Sequence, residues 1–424
     1  MIFTHSDINK GKEKYKEYPL LKKPYFSALN FIQNADGSLN YGYAPRTSGG
    51  VKLNNVPSNE RTFAVKLNGE KFFVARNSSK QLVKISGDGT HTTMSETAFD
   101  APCCVRKTTR TGAEILFVSS ASKVVAYNGS ACKESVLPPF VDLSDFCGAV
   151  ASIPASNRRS VYVTGTLDSE AEFDLNGSVC ISLPVDASGL YAVNDVLYIF
   201  CRREIYKVTA GNERGNYKLE FVCDSGSEFV ENSLVIVHGK AVFLTKDGLR
   251  SFDGNKVVKN GVYYGNEDRG LMAVTCFNAD GLYVARVYGK FVYILYYDAD
   301  NDCGGIIYNC SDTFAETVGD EDMFYVKTNT EIRQMARKTT ENAGVCARTY
   351  KLNFGNERFT VCKVYTKGKN AEFCLDGQNG SVKLPFKDGG YTNVRLTGKA
   401  FDVTISNLQG DCKIENITLY VKEN

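Results

Sequence analysis

EILFVSSASKVVAYNG (Glu114 to Gly129) and KAVFLTKDGLRSFDG (Lys240 to Gly254) carry one pattern. Each opens on an apolar run, breaks at a polar or glycine turn, resumes as a second short strand and closes on Asn-Gly or Asp-Gly. An unbroken apolar run of roughly four to six residues between turn residues marks a strand buried on both faces. The connections carry the Gly, Asn, Asp and Ser that hairpins need. Further copies are KFFVARNSSKQLVKISGDG (Lys71 to Gly89), VLYIFCRREIYKVTAG (Val196 to Gly211) and MFYVKTNTEIRQMARK (Met323 to Lys338). The first strand of each unit begins near Phe72, Ile115, Val161, Leu197, Ala241, Tyr283 and Met323. A strand-built repeat of about 40 to 45 residues predicts propeller blades.

The sequence therefore predicts an all-β chain: a six- or seven-bladed β-propeller with a C-terminal β-sandwich and an extended N-terminal arm. The arm spans residues 1–60, the propeller 61–344 and the sandwich 345–424. The blade count stays open because the seventh unit could belong to the sandwich. The third unit is the poorest copy, its second strand falling around Glu170 to Leu175 among Glu170, Glu172 and Asp174. Leu143 to Ile153 is the one helical candidate. In the arm, one strand is expected at Tyr25 to Ile32. Beyond the repeat, short strands are expected at Val345–Phe354, Phe359–Thr366, Ala371–Leu375, Ser381–Leu384, Thr392–Leu396, Phe401–Ser406 and Lys413–Val421. FDVTIS and KIENITLYV alternate cleanly, as strands of a two-sheet sandwich do.

Composition narrows the function classes. The 424 residues are 43% hydrophobic and 23% charged, a folded protein's balance. Fifty Lys and Arg against 48 Asp and Glu leave a formal charge of +2. A dedicated nucleic-acid binder needs a cationic excess to displace counterions. With 24 Tyr, 25 Phe and no Trp, there is no Trp-Asp repeat and no sialidase-type Ser-x-Asp-x-Gly-x-Thr-Trp turn. The opening MIFTHSDINKGKEKYKEY has no apolar core of leader length. No apolar run approaches the roughly 20 residues of a membrane helix. The 14 Cys are scattered, several within strand patterns (Cys201, Cys276, Cys362, Cys374). They are expected to be buried free thiols of a reducing cytoplasm.

Catalytic vocabulary is thin. The three His are dispersed, His5 in the arm, His91 in a Gly/Thr loop and His238 at a hairpin turn. No nucleophile elbow, Walker loop or His-Glu-x-x-His occurs. The sequence predicts no enzymatic activity and no cofactor. Asp298, Asp300 and Asp302 alternate before Gly304, a spacing that could supply oxygen ligands to Ca²⁺. The glycine comes one residue late for an EF-type loop, and a polar hairpin turn is the simpler reading. A propeller glycoside hydrolase would need two carboxylates facing one cleft; Asp195 and Asp247 are conceivable. A glycan- or receptor-binding module could use the tyrosine-rich turn Tyr263 to Asp268. In the arm, Lys10, Lys12, Lys14, Lys16, Lys22 and Lys23 cluster with Tyr15 and Tyr18, a mixture suited to docking on a neighbouring subunit.

Two segments carry a resemblance. KFVYILYYDADNDCGGIIYNC (Lys290 to Cys310) is an apolar strand ending in Tyr-Asp, a polar loop and a further strand. NVRLTGKAFDVTISNLQGDCKIENITLYV (Asn393 to Val421) holds R-x-x-G-x-x-F-x-V-x-I and a last alternating strand. With the arm–propeller–sandwich layout, they resemble the head-to-tail stabilisation proteins of short-tailed bacteriophages, the tail-accessory or nozzle-like propellers. The tryptophan that usually follows the polar loop in that family is absent here. The resemblance implies a structural virion protein of the tail, assembled in the host cytoplasm as a ring homo-oligomer, a hexamer. It implies portal, adaptor and distal tail proteins as partners, and double-stranded DNA only as passing cargo. The alternatives are a tail-tip receptor- or glycan-binding propeller and a propeller glycoside hydrolase.

Overall fold

The computed structural model describes residues 5–7, 14–19, 31–33, 39–41, 43–46, 48–95, 97–110, 112–164, 178–211, 215–259, 272–279, 282–288, 292–298, 303–310, 314–320, 323–337, 347–353, 357–406 and 413–423. The N-terminal segment contributes β1 (His5–Asp7), β2 (Lys14–Pro19), β3 (Phe31–Gln33), β4 (Leu39–Tyr41), β5 (Tyr43–Pro45) and β6 (Val51–Lys52). Antiparallel meanders follow. Blade 1 is β7 (Thr62–Leu67), β8 (Glu70–Arg76), β9 (Leu82–Ser86) and β10 (His91–Ser95). Blade 2 is β11 (Cys104–Arg110), β12 (Ala113–Ser119), β13 (Val124–Tyr127) and β14 (Cys132–Glu134). Blade 3 is β15 (Phe140–Phe146), β16 (Ala149–Pro154), β17 (Ser160–Val163) and β18 (Val179–Ser182). Blade 4 is β19 (Ala187–Val193), β20 (Val196–Cys201), β21 (Glu204–Ala210) and β22 (Tyr217–Asp224). Blade 5 is β23 (Val235–Val237), β24 (Lys240–Thr245), β25 (Gly248–Phe252) and β26 (Val257–Lys259). Blade 6 is β27 (Met272–Ala279), β28 (Leu282–Tyr288), β29 (Val292–Asp298) and β30 (Cys303–Cys310). Blade 7 is β31 (Phe314–Asp320), β32 (Met323–Thr328) and β33 (Glu331–Arg337), completed by β5 and β6 from the N-terminal segment.

The blade number is thus seven among the described residues, and the seventh unit belongs to the ring. Consecutive first strands pack on one another, β11 on β15, β15 on β19, β23 on β27 and β27 on β31, while β31 meets β7 and closes the circle. Blades stack face to face, so their second strands are buried on both sides. Ala149–Pro154 of β16 is wholly buried, as are Leu197–Cys201 of β20 and Ala241–Thr245 of β24. The outermost strands are largely open to solvent. The interblade cores are continuous apolar layers. Val65, Phe72 and Val74 of blade 1 meet Leu116, Val118 and Val125 of blade 2. Tyr191, Phe200 and Ile205 of blade 4 meet Phe229, Phe243 and Phe252.

Two expectations in blade 3 are corrected. Leu143 to Ile153 is no helix; it is the β15–β16 hairpin, paired from Phe146↔Ala149 out to Asp142↔Ile153. Leu143, Phe146, Val150 and Ile153 are spaced three, four and three apart, which satisfies a helical stripe as well as two inward strand faces. The turn decides. Cys147 (φ +49°) and Gly148 (φ +72°) are both left-handed, the two-residue hairpin geometry that matches strand twist. Asn68–Gly69, Asn194–Asp195 and His238–Gly239 repeat it. The second correction is of phase. Val161 lies in the third strand of its blade, whereas the other unit starts fall on second strands. The missed second strand is β16. The expected strand near Glu170 to Leu175 lies outside the described residues.

The C-terminal region is β34 (Ala347–Asn353), β35 (Phe359–Lys369), β36 (Glu372–Gly377), β37 (Gly380–Pro385), β38 (Gly390–Gly398), β39 (Ala400–Ser406) and β40 (Lys413–Glu423). One sheet runs β1-β2-β40-β35-β38, with β4 also on β40 and β3 on β4; the other runs β34-β39-β36-β37. Val361, Val364, Leu396, Ile417 and Leu419 of the first meet Phe373, Leu375, Phe401, Val403 and Ile405 of the second in one core. The R-x-x-G-x-x-F-x-V-x-I motif has a packing explanation. Phe401, Val403 and Ile405 are its inward residues, and a side chain on Gly398 would crowd the Ala400 carbonyl and the Phe401 ring.

Candidate functional site: the seam joining arm, ring and sandwich

One N-terminal segment ties the two halves of the molecule together. β2 lies antiparallel on β40, with Lys16↔Val421, Glu17↔Tyr420 and Tyr18↔Leu419 in register. β4 pairs with the start of the same strand, Leu39↔Ile414. The chain then reaches blade 7. β5 pairs with the end of β33 (Met335↔Pro45) and β6 with its start (Ile332↔Val51). Ladder bonds continue at both ends, Arg46 N–H to the Gln334 carbonyl and Leu53 N–H to that of Thr330, each 2.9 Å. The outer edge of the last blade is therefore supplied by the opposite end of the propeller's sequence. Such closure converts a row of blades into a ring without a free edge on β33.

Charge reinforces this seam. Glu331 keeps only 10% of its side chain exposed and accepts from Lys52 Nζ at 2.9 Å and from Arg333 Nε at 2.6 Å. A side chain on Gly50 would collide with the Glu331 carboxylate. On the other side, the fully buried Lys327 donates through Nζ to the Glu60 carbonyl, and Arg76 pairs with the Glu60 carboxylate. Beneath lie Val51, Leu53, Val56, Phe73 and Ile85 against Val318, Met323 and Ile332, with Phe73 and Tyr325 edge to face at 5.0 Å.

The Lys52 and Arg333 hydrogen bonds hold the Glu331 carboxyl below its ordinary range. A carboxylate depressed on folding stabilises the fold above its unfolded pKa of about 4.3, and the contribution disappears as pH falls through the folded value. Glu331→Gln is therefore expected to lower the urea midpoint at pH 7. The gap to wild type should narrow on acidification below about pH 4.3. A gap independent of pH would show that Glu331 acts through shape alone.

A second polar centre lies at the inner strands. Asp142 Oδ1 accepts from Arg106 Nε of blade 2 at 2.6 Å and from its neighbour Leu143 N–H at 2.9 Å. Oδ2 accepts from Leu190 N–H of blade 4 at 2.8 Å. One carboxylate, with 5% of its side chain exposed, thus links three blades. Alongside, Asp145 Oδ2 accepts from Thr109 N–H at 3.0 Å, and Lys107 Nζ donates to the Lys66 carbonyl at 2.9 Å.

The residues singled out by sequence fall as follows. Lys14, Tyr15, Lys16 and Tyr18 are all in β2; Lys10, Lys12, Lys22 and Lys23 lie outside the described residues. Of the arm strand expected at Tyr25 to Ile32, residues 25–30 lie outside them too, and β3 begins at Phe31. Asp298 ends β29, opposite Cys303; Asp300 and Asp302 lie outside the described residues, as does Tyr263 to Asp268. Among the described residues no group of three His, Cys, Asp or Glu is placed to hold a metal ion. Asp195 sits in a first-to-second-strand turn and Asp247 in a second-to-third-strand turn. Meander topology puts those turns on opposite faces of the disc, so this pair forms no common cleft. Asp247 is instead held by both oxygens to Arg250 at 2.9 Å. His5 lies in β1, His238 makes a hairpin turn, and His91 reaches the Lys52 carbonyl at 3.3 Å. Nine of the described cysteines, Cys104 and Cys201 among them, are in no disulfide. Burial pushes the Cys104 and Cys201 thiols up to about 12, whereas Cys103, Cys147 and Cys180 are exposed, contrary to a uniformly buried set.

The sequence reading missed Asp142, Lys327 and Glu331. For Asp142 and Lys327 the signal was available: FVDLSDF and MFYVKT each place a charge inside an apolar strand, and a charge there needs a partner.

No family model and no curated protein matches the chain. Its fold is similar to solved propeller structures at low identity. The structure of BBS1N in complex with ARL6DN shares 10% identity at a TM-score of 0.46, over 73% of this chain and 99% of that one. The extracellular domain of a hybrid two-component system protein, BT4673 from B. thetaiotaomicron, shares 11% at 0.46, over 81% of this chain. This chain covers 45% of that chain's length. The propeller assignment rests on the strand ladders themselves. No helix among the described residues is long and apolar enough to cross a membrane.

Proposed function

We propose that the chain is a structural subunit of a short-tailed phage tail. It forms a closed ring below the portal and adaptor, stabilises the head-to-tail junction and extends the DNA channel. The observation that carries this reading is the N-terminal seam. One segment adds strands to the sandwich at β40 and then closes the propeller at β33, so load on either half is borne by antiparallel ladders. Ladder strands loaded across many hydrogen bonds suit a part that must hold while DNA is packaged and ejected. The two segments that resemble the tail proteins support it further. Lys290 to Cys310 contains the β29–β30 hairpin, and Asn393 to Val421 contains most of β38 with β39 and most of β40. A net charge of +2 suits a passage that must not grip DNA.

Negative-stain images of the purified chain, alone and mixed with the portal and adaptor encoded in the same genome, test the proposal. Six-fold rings carrying one propeller per subunit are expected, stacked on the adaptor in the mixture. Single doughnuts at every concentration, with the connector present, would overturn it.

A further inference from the structure

The outer strand of blade 4, β22, runs eight residues, whereas the outer strands β10, β14, β18 and β26 have five, three, four and three. It is the last strand of its sheet. Gly211 N–H donates to the Asn216 carbonyl at 2.7 Å, which sets the phase of the β21–β22 ladder. Hydrogen-bonded and non-bonded pairs alternate from there, so Leu219 and Phe221 turn their N–H and C=O away from β21. The ladder is regular from Tyr217 to Phe221 and then bulges, because Tyr206 faces Phe221 while Ile205 faces Cys223. The straight edge is therefore Tyr217-Lys218-Leu219-Glu220-Phe221. Its two faces differ. Tyr217 and Leu219 pack with Tyr206 on the core between blades 3 and 4. Phe221 stands edge to face on Tyr206 at 5.7 Å, with 57% of its surface exposed. Lys218 and Glu220 take the other face, where Glu220 accepts from Lys218 at 2.5 Å and from Lys207 of β21 at 3.0 Å.

An open edge is a template for a further strand, and these five residues specify which. Antiparallel pairing of the stretch with itself must be centred on a residue, because directly opposite residues share a hydrogen-bonding phase. Centred on Lys218, it sets Lys218 against Lys218. Centred on Glu220, it sets Glu220 against Glu220. Like charges directly opposite are destabilising. Centred on Leu219, it sets Lys218 of each copy against Glu220 of the other and Tyr217 of each against Phe221 of the other. This register has no like-charge pair and gives the exposed Phe221 ring an aromatic cross-strand partner. An ammonium has three donors and a carboxylate about four acceptor sites, so the new pairs add to the Lys207 and Lys218 contacts of Glu220 and displace neither.

We infer that two copies of the chain join by antiparallel pairing of β22 about a two-fold axis at Leu219. Blade 4 of each copy gives its four strands to one continuous sheet. The contact is isologous, whereas a closed ring is made by head-to-tail contacts, so it goes beyond the tail reading and neither depends on the other. A five-residue strand pairing is a small interface, and the association depends on concentration.

Leu219→Cys tests the pairing in the full chain. Opposite residues of a hydrogen-bonded pair have Cα atoms about 5.5 Å apart, within disulfide reach. Copper-catalysed air oxidation is therefore expected to give a covalent dimer on a non-reducing gel. Lys218→Cys, which lies two residues out of step with its copy, should cross-link only at the background rate that wild type shows through its own exposed thiols. Sedimentation velocity reads the same contact without touching the core. Wild type should double in mass with concentration, whether the doubling unit is one chain or a ring. Lys218→Glu sets like charges opposite each other twice and should weaken the doubling at least about tenfold. Adding Glu220→Lys should restore it, because complementarity returns with the signs exchanged. Melts like that of wild type show that the charge variants fold. The inference is overturned if Leu219→Cys cross-links no faster than Lys218→Cys, if wild type shows no doubling, or if the second reversal fails to rescue the first.

Discussion

Asn in place of Asp142 is expected to destabilise the fold by ~3–5 kcal/mol, the scale of breaking a buried charge pair from one side. Both oxygens are committed: Oδ1 to Arg106 Nε and Leu143 N–H, Oδ2 to Leu190 N–H. An amide can present one oxygen and one NH₂, so a donor must face a donor at one of these contacts. Arg106 also loses its counter-charge. Because Leu190 is in blade 4 and Arg106 in blade 2, the damage falls on two blade boundaries at once. Arg106→Ala should cost less, since its side chain is 33% exposed and the carboxylate keeps both backbone donors. Urea unfolding of both variants at pH 7 measures the difference. Equal and small losses, below about 1 kcal/mol, would mean that Asp142 behaves as a surface ion pair.

Much of this fold was legible because blades bury their second strands on both sides. That produces apolar runs such as ILFVS and AVFLT, which no amphipathic helix shares. The sandwich strands were legible for the opposite reason: FDVTIS alternates because one face meets the core, and β39 has that burial pattern. What escaped was nonlocal. Val51–Lys52 is two residues long and acquires its meaning only from Glu331 and Ile332, which lie at the far end of the propeller's sequence. No period can announce such a strand. The β15–β16 hairpin escaped because Cys147 adopts a left-handed turn usually taken by Asn or Gly, so the punctuation was missing.

Deleting residues 1–56 is expected to produce the largest defect, and the physical reasons are separable. Val51, Leu53 and Val56 leave the blade 7–blade 1 core. Burial of each such side chain contributes about 1.5–3 kcal/mol, so three exceed half the stability of many folded domains. Lys52 leaves Glu331 with Arg333 as its charged neighbour. The edges of β33 and β40 lose their strands, and an open edge is a template for another chain. The truncated chain should therefore be protease-sensitive within blade 7 and associate on size-exclusion chromatography. A peptide spanning residues 39–56, added in excess, should restore protection, because it carries both closure strands and the apolar residues beneath them. Binding to the closed form alone would make the rescue depend on peptide concentration. If the truncated chain instead elutes in the same assembly state as the full chain and melts like it, the propeller is held by its blade faces and the N-terminal seam carries no load.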